Sequence, residues 1–372
     1  MQRPRVLMVA RTRYRWPLSP SLERKFSALR AELEVHVLAA AADRASAGER
    51  DGFSLARPRR VRRLDGLTYY LALPFRVRSA ARWFRPDAVV AQGPYEAAAV
   101  ALARTGAKLV VEVHGDWRSA TRLYGSRFRR GLSPVADAVA AWGLRRADRV
   151  RTLSPFTTEL VRSAGVEPGD AFPAFVDLDT FREKEPTPLP ERPAFLFVGV
   201  LERYKFVDGL VEAWRAVARE VPGTSLRIVG DGSGRALVAA LVAELPERTR
   251  WDRRLAPEDV RAALDDAAVL LLPSRSEGLP RIAIEALSRG RPVIGARVGG
   301  IPDIVEDGVS GLVIEPESVD ALAAAMLRVA QDRSLVEALA AGASRAADRW
   351  HLEPSEYAAR LRALVESATD RD

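Results

Sequence analysis

Two carboxylates in the stretch Leu270–Gly311, Glu277 and Glu285, could take part in chemistry. They are eight residues apart, so within one helix they would be separated by about 12 Å along the axis. The carboxyl pairs of glycosidases lie about 5 to 9.5 Å apart, so a hydrolytic pair is a poor interpretation. In a purely structural interpretation, Glu277 complements the helix dipole and Glu285 is a solvated helix residue. Ligand binding is the functional alternative.

The elements around Glu277 favour ligand binding. The apolar run at residues 269–272 predicts a buried strand, and a helix is predicted to follow the next turn. Glu277 falls in that turn, at the carboxyl end of the strand, where open α/β sheets bind their ligands. The free N–H groups of Gly278 and Leu279 are predicted at the helix N-terminus, with Pro280 in its first turn. Such a turn suits a phosphate or the polar edge of a sugar.

Two further turns follow predicted strands and contain residues that could bind a ligand. His114 follows the valine-rich run at 108–113, and the turn Gly230, Asp231, Gly232 follows the run at 225–229. Glycines at such a position allow a base or ribose to approach the backbone closely. Taken singly, a histidine is more often structural, and Gly-Asp-Gly also forms ordinary turns.

The pattern PS-x-x-EG-x-P-x-x-x-x-EA begins at Pro273, and G-x-PVI and GG-x-P-x-IV-x-DG-x-x-G follow it. Together these motifs resemble the nucleotide-sugar site of family 4 retaining glycosyltransferases, which have the GT-B fold. The resemblance is dense over residues 195–312 and looser over residues 1–180. It implies two doubly wound, Rossmann-like parallel-sheet domains that face a cleft, with a C-terminal helix that returns to the first domain.

The resemblance also implies roles for individual residues. Glu285 would bind the ribose hydroxyls, Glu277 the sugar hydroxyls and Lys205 the diphosphate of a UDP- or GDP-sugar, while His114 would face the acceptor. The reaction would retain configuration and need neither a metal nor a cofactor beyond the sugar nucleotide. The residues implied in catalysis are Lys205, Glu277 and His114. Those implied in donor binding are Gly199, Arg203, Gly230, Asp231, Gly232, Glu277, Gly278, Leu279, Pro280 and Glu285.

The chain departs from the family pattern at several positions. Val200 stands where the family has an arginine, Phe206 where it has a glycine, and Pro20 with Ser21 where it has a glycine pair. An arginine beside a pyrophosphate stabilises the leaving group, and Arg203 is a candidate substitute. The departures keep two alternatives open: an inactive relative that only binds a sugar nucleotide or glycan, and a GT-B epimerase or phosphorylase.

The length of the chain and a proline-rich segment near its middle predict two domains. The chain has 372 residues, 48% of them hydrophobic, enough for two cores. The proline-rich segment EKEPTPLPERP predicts a semi-rigid linker. We therefore expect an acceptor-binding domain at 1–182, a linker at 183–193, a nucleotide-sugar domain at 194–352 and a returning helix at 353–372.

Composition excludes several classes of site. The chain has no cysteine and three histidines, which lack the spacing of a zinc site. It has neither a signal-peptide pattern nor an apolar run of about 18 residues, so we expect a cytoplasmic protein.

Charge is unevenly distributed along the chain. Residues 1–185 contain 33 Lys/Arg and 20 Asp/Glu, a balance of +13, whereas the remainder contains 24 Lys/Arg and 29 Asp/Glu, a balance of −5. No nucleic-acid-binding module accompanies this charge, so an anionic membrane or acceptor is the better expectation.

The most basic segment runs from Arg57 to Arg63. Tyr69, Tyr70 and Phe75 follow it, and Pro74 is expected to limit any single long helix. A basic, aromatic segment suits a membrane interface, but an ordinary helix with one core face fits equally. The first interpretation predicts a peripheral enzyme at the inner face of a membrane, with a glycan or lipid-linked acceptor, in cell-surface polysaccharide or glycolipid synthesis. The arginines predicted at this surface are Arg57, Arg59, Arg60, Arg62 and Arg63.

Overall fold

The computed structural model describes residues 3–58, 62–122 and 131–370. The chain forms two compact units. The first runs to Phe175 and includes the chain from Leu352 onward, and the second spans Val176–His351. Each unit is built on a parallel β-sheet covered by helices.

The first unit has an eight-stranded sheet in the order β3-β4-β2-β1-β5-β6-β7-β8. All neighbouring strands are parallel except β3 and β4. The strands are β1 (Arg5–Tyr14), β2 (Glu34–Ala41), β3 (Gly48–Arg50), β4 (Phe53–Ala56), β5 (Ala88–Ala91), β6 (Lys108–Val113), β7 (Arg149–Thr152) and β8 (Asp170–Ala171). The helices are α1 (Pro20–Glu32), α2 (Arg62–Phe84), α3 (Pro94–Ala103), α4 (Ser119–Arg122), α5 (Ser133–Arg145) and α6 (Pro155–Arg162).

The second unit has a six-stranded, wholly parallel sheet in the order β11-β10-β9-β12-β13-β14. The strands are β9 (Ala194–Val198), β10 (Ser225–Val229), β11 (Thr249–Asp252), β12 (Val269–Leu272), β13 (Val293–Ala296) and β14 (Gly311–Ile314). The helices are α7 (Asp179–Arg182), α8 (Val207–Glu220), α9 (Arg235–Glu244), α10 (Pro257–Asp265), α11 (Arg281–Ser288), α12 (Ile301–Ile304), α13 (Val319–Gln331) and α14 (Arg333–Asp348). This is the doubly wound order, and its switch point lies between β9 and β12, where such sheets bind ligands.

The last helix, α15 (Pro354–Thr369), belongs to the first unit. It packs on α1 because both helices contribute apolar side chains to one core, among them Phe26, Leu29 and Leu361. Arg362 donates to Glu32 at 3.1 Å beside that core.

The segment predicted as a linker is bound to the second unit. Val176 and Phe181 are buried in that unit's core, so residues 176–182 join it rather than the first domain. Arg289 donates to the carbonyls of Phe181 and Glu185, at 2.7 and 2.9 Å. Arg291 donates to the carbonyl of Thr187, at 2.7 Å. Both guanidinium groups are buried, and their fixed forks hold the proline-rich segment in place.

Helix α2 continues through Pro74, contrary to the expectation that proline would limit it. Leu73, Val77, Ala80 and Phe84 are all buried along one face of this helix. Packing of an apolar face supplies most of a helix's stability in a protein, and here it outweighs the missing N–H.

Candidate active site

Lys205 and Glu277 meet at the switch point of the second unit. Lys205 closes a 3-10 turn, Arg203–Lys205, in the loop after β9, and Glu277 lies in the loop after β12. Lys205 Nζ donates to Glu277 Oε1 at 2.5 Å, and the Ser274 hydroxyl donates to the same oxygen at 2.6 Å. The lysine and glutamate side chains are only 11% and 9% exposed. The pair thus joins the two loops that flank the switch point, the position of a ligand site in this topology.

The turn that carries Lys205 is held by contacts that the sequence did not reveal. Arg275 donates its N–H to the carbonyl of Tyr204 at 2.7 Å. Its guanidinium donates to the carbonyl of Arg203 and pairs with Asp208 at 3.0 Å. Arg275 and Ser274 occupy positions inside the motif PS-x-x-EG that sequence reasoning left without a role. The sequence feature that could have indicated this role is the charge of Arg275 in that turn.

A glycine pair after β13 fixes the Glu277 turn from the other side. Gly299 has a φ of 55°, and a Cβ on it would lie 2.0 Å from the carbonyl oxygen of Glu277. Gly300 donates its N–H to the carbonyl of Gly278 at 3.0 Å. Any side chain at Gly299 would push the turn aside, so the GG of the motif has a steric explanation here.

The turn around Gly278 precedes helix α11 rather than opening it. The helix begins at Arg281, and Pro280 is the residue just before it. This corrects the expectation that Pro280 lies in the first turn, because its ψ of 98° is extended. The N–H groups of Gly278 and Leu279 donate to no group in the part of the chain that the structure describes. Two backbone donors are therefore available beside Glu277.

The glycines after β9 and β10 pack loop against loop. A Cβ on Gly230 would lie 1.8 Å from the carbonyl oxygen of Gly199, and one on Gly232 would lie 2.7 Å from that of Leu201. Asp231 is bound to Arg253 at 2.5 Å, and that hydrogen bond lowers the pKa of its carboxyl. The close contact between these loops is therefore enough to explain the glycines. That a nucleotide also binds against their backbone stays a prediction.

Glu285 lies on α11, apart from the Lys205–Glu277 pair in its contacts. Its side chain is 14% exposed, and its nearest cation is Arg281, at 3.9 Å. Burial raises the pKa of this carboxyl, Arg281 lowers it and Asp177 raises it further. A buried carboxylate with so weak a partner is suited to accept hydrogen bonds from a ligand.

The two positions around the missing arginine are both open to solvent. Val200 is 47% exposed. Arg203 is exposed, and no carboxylate of the described chain pairs with its guanidinium. The structure therefore leaves Arg203 available, and its role as a substitute stays a prediction.

His114 follows β6 in the first unit and lies beside a buried ion pair. Its Nε2 is 3.6 Å from Oε2 of Glu112, a fully buried carboxylate that binds Arg151. Burial would raise the pKa of Glu112, but Arg151 and His114 together bring it to about 2. Glu112 was not singled out from the sequence, since a lone carboxylate in a valine-rich strand gave no sign of its partners.

The basic segment is described only in part. Arg57 is exposed after β4, Arg59 and Arg60 lie outside the described residues, and Arg62 and Arg63 begin α2 without described side chains. The prediction that Tyr69 and Tyr70 face a membrane is wrong. Their hydroxyls donate inward, to the Ala10 carbonyl at 2.5 Å and to Glu96 at 2.9 Å.

Other apolar side chains of α2 do face outward. Phe75 is 77% exposed and Leu71 is 64% exposed. Within residues 3–58, 62–122 and 131–370, no helix is long and apolar enough to cross a bilayer. Over the same ranges, no group of three His, Asp or Glu side chains could hold a metal ion.

Comparison with known proteins assigns the family. The family model described as "Glycosyl transferase 4-like domain" matches residues 19–173, and the model described as "Glycosyl transferases group 1" matches residues 192–332. A 2-deoxystreptamine glucosyltransferase from Streptomyces kanamyceticus is 32% identical over 267 residues, 68% of this chain and 69% of that protein. The chain belongs to the family 4, or group 1, glycosyltransferases. This confirms the family predicted from the sequence.

A second relative of this glycosyltransferase is an alpha-D-kanosaminyltransferase from the same organism. It is 26% identical over 253 residues, which cover 64% of this chain and 65% of that protein, less than two thirds of the relative's length.

Solved structures confirm the GT-B fold class. A sucrose-phosphate synthase from Thermosynechococcus elongatus has a TM-score of 0.81 and 19% identity, with 100% of both chains covered. Anabaena HepE in complex with UDP-glucose has a TM-score of 0.68 and 17% identity, with 99% of both chains covered. These likenesses concern the fold alone.

Proposed function

We propose that this glycosyltransferase moves a sugar, with retention of configuration and without a metal ion, from a UDP- or GDP-sugar to a glycan or lipid-linked acceptor. The observation that carries the proposal is the Lys205–Glu277 pair, which joins the loops after β9 and β12 at the switch point. Support for a sugar nucleotide comes from HepE, a protein of the same fold that binds UDP-glucose.

The leaving diphosphate would be bound by Lys205 and by the turn after β12. Lys205 has three N–H donors, of which one reaches Glu277. The other two, with the N–H groups of Gly278 and Leu279, form a set of donors for phosphate oxygens. Such donors stabilise the charge that develops as the bond from the anomeric carbon to the diphosphate breaks.

The two carboxylates would divide the rest of the donor between them. Glu277 is fixed by Lys205 and Ser274 through Oε1, which leaves Oε2 to accept from a sugar hydroxyl. Glu285 would accept from both ribose hydroxyls, since its carboxylate has only a distant cation partner. His114 in the first unit, and the +13 charge of residues 1–185, most of which belong to that unit, support acceptor binding there.

A peripheral membrane location and a role in cell-surface polysaccharide or glycolipid synthesis complete the proposal. Exposed Leu71 and Phe75 on α2, which follow the arginine segment in the sequence, support reversible contact with anionic lipid. The curated relatives named above are transferases, which favours transfer over the epimerase, phosphorylase and binding-only alternatives.

The test is a panel of UDP- and GDP-sugars, assayed for release of nucleoside diphosphate in the presence and absence of EDTA. We expect one donor to be consumed at the same rate under both conditions, and the anomeric NMR signal of the product to match the donor's configuration. Inversion, or a loss of activity with EDTA that added metal restores, would contradict the mechanism. Thermal stabilisation by a donor without turnover would indicate a protein that only binds.

A further inference from the structure

A cavity of about 180 Å³ opens in the first unit where β1, β2 and β4 end. Its walls come from the last residues of β1 and β2, the chain just after β4, and α2. Four of the residues that line it are arginines, namely Arg11, Arg13, Arg57 and Arg76. Every lining residue is described by the structure, and none is an aspartate or glutamate.

Among the side chains that the structure describes, no carboxylate forms an ion pair with three of these arginines, Arg11, Arg57 and Arg76. Arg11 lies 5.7 Å from the Tyr70 ring and interacts electrostatically with Glu96. Glu96 is buried and accepts from Tyr70, and burial raises the pKa of its carboxyl. The residues that line the cavity thus contribute four guanidinium groups and no carboxylate.

Arg76 is positioned by the sheet and still has a donor to spare. Its Nη2 donates to the carbonyls of Ser54 and Ala39, at 3.2 and 3.4 Å. Its Nη1 is buried and donates to no acceptor within the described chain. Burial lowers the pKa of this guanidinium. A cation fixed in place with an unsatisfied N–H gains a great deal from an anionic partner.

We propose that this cavity binds a phosphate-type oxyanion carried by the acceptor, with Arg11, Arg57 and Arg76 as its ligands. Guanidinium groups match the oxygens of phosphate in pairs, so three of them select an anion with several oxygens. The volume holds such a group with a few attached atoms, since a water molecule occupies about 30 Å³. Only the assignment of the anion to the acceptor rests on the proposed function.

Direct binding tests the site without reference to catalysis. Isothermal titration with inorganic phosphate and with glycerol 3-phosphate is expected to show binding, and titration with glycerol none. Arg11→Gln and Arg57→Gln alter exposed side chains, so both variants should fold, which a thermal melt checks. Each is expected to weaken binding of glycerol 3-phosphate about tenfold or more, as is Arg76→Gln.

The matched control is Arg78→Gln, on the same helix. Arg78 is exposed and does not line the cavity, so its variant removes one charge while leaving the site intact. We expect wild-type affinity from it. Absence of phosphate binding in the wild type, or equal losses in Arg11→Gln and Arg78→Gln, would overturn the proposal in favour of general electrostatic attraction.

Two experiments with lipid vesicles distinguish whether the anion belongs to a lipid headgroup or to a soluble acceptor. Binding to vesicles of phosphatidic acid that Arg11→Gln weakens, Arg78→Gln retains and glycerol 3-phosphate competes away would assign the site to a lipid headgroup. Phosphate binding without competition by those vesicles would assign it to a soluble acceptor. Release of nucleoside diphosphate is measured in parallel, so that a failure of the proposed transferase is seen separately from a failure of this site.

Discussion

The ring of Phe206 lies where a side chain on Gly209 would have to stand, because a Cβ on that glycine would be 2.1 Å from the ring. Phe206 has a φ of 55°, a left-handed conformation that glycine adopts with little strain and phenylalanine does not. Arg275 covers the same ring, with its guanidinium 4.5 Å from the centroid. Gly209 and Arg275 together explain how phenylalanine replaces the family's glycine next to Lys205.

Gly209→Ala should therefore be destabilising although it replaces a helical glycine by alanine. In an unobstructed helix that change would stabilise by about 0.5–1 kcal/mol. Here the new methyl group must displace the Phe206 ring, and overpacking of this kind costs about 1–3 kcal/mol. We expect a lower urea midpoint for Gly209→Ala.

The double variant provides the control for this steric explanation. With Phe206→Gly in place the obstruction is gone, so adding Gly209→Ala should be neutral or stabilising. Equal effects of Gly209→Ala in both backgrounds would show that the ring does not cause the cost.

Lys205→Ala is expected to reduce turnover much more than donor affinity. Its charge would act mainly on the leaving diphosphate, where stabilisation is needed most in the transition state, and Val200 supplies no second cation. The measurement is kcat and KM with the preferred donor, together with the dissociation constant of the free nucleoside diphosphate. Val200→Arg should raise kcat if the family's arginine is what the site lacks.

Arg203→Ala is the comparison for this prediction. Arg203 is exposed and two residues away, so its loss should matter less than that of Lys205. Normal turnover in Lys205→Ala with a loss in Arg203→Ala would transfer the role to Arg203. Normal turnover in both variants would remove the whole turn from the mechanism.

Sequence reasoning succeeded where a short pattern has one physical meaning. The valine- and leucine-rich runs at 108–113 and 269–272 coincide with β6 and β12, because strands buried on both faces are continuously apolar. It failed where the partner is distant in the chain. Nothing local in the sequence indicates that Arg289 is buried against the proline-rich segment.

The direction of Tyr69 and Tyr70 was missed for a related physical reason. Helix α2 has apolar, aromatic and basic residues around its whole circumference, so its pattern does not define which face is buried. Contact with β1 and α3 decides it, and it brings Tyr70 to Glu96.

Glu285→Gln should weaken nucleotide binding and change how stability depends on pH. The folded-state pKa of Glu285 is raised above the ordinary value of 4.5, so at pH values above 4.5 the unfolded state has lost a proton that the folded state retains. The contribution of Glu285 to stability therefore falls as pH rises from 4.5 through its folded pKa. Urea unfolding of both proteins at a series of pH values should show the wild type losing stability relative to Glu285→Gln over this range.

Ligand binding separates the role of Glu285 in the site from its effect on stability. A carboxylate accepts from both ribose hydroxyls, whereas an amide offers one acceptor and would clash with a second donor. We expect nucleoside diphosphate to bind Glu285→Gln at least about tenfold more weakly, since a charged hydrogen bond is lost. Unchanged affinity would remove Glu285 from the donor site.

The last prediction concerns the membrane, and the structure changes which residues should carry it. Arg57, Arg59, Arg60, Arg62 and Arg63 would supply the charge, at about 1 kcal/mol for each residue near an anionic surface. Leu71 and Phe75, rather than Tyr69 and Tyr70, would supply the apolar contact, because they are exposed whereas the tyrosine hydroxyls donate inward. We expect co-sedimentation with vesicles that contain anionic lipid and little with neutral ones. The binding should weaken with salt, since such charges are screened within about 8 Å at physiological ionic strength.

Two sets of substitutions test this membrane binding. Changing the five arginines to glutamine, or Leu71 and Phe75 to serine, should each reduce the fraction of protein that sediments with anionic vesicles. A matched control changes five exposed arginines of the second unit to glutamine, namely Arg219, Arg235, Arg254, Arg328 and Arg345. Equal loss in that control would reduce the effect to net charge, and equal binding to neutral and anionic vesicles would contradict the electrostatic part of the argument.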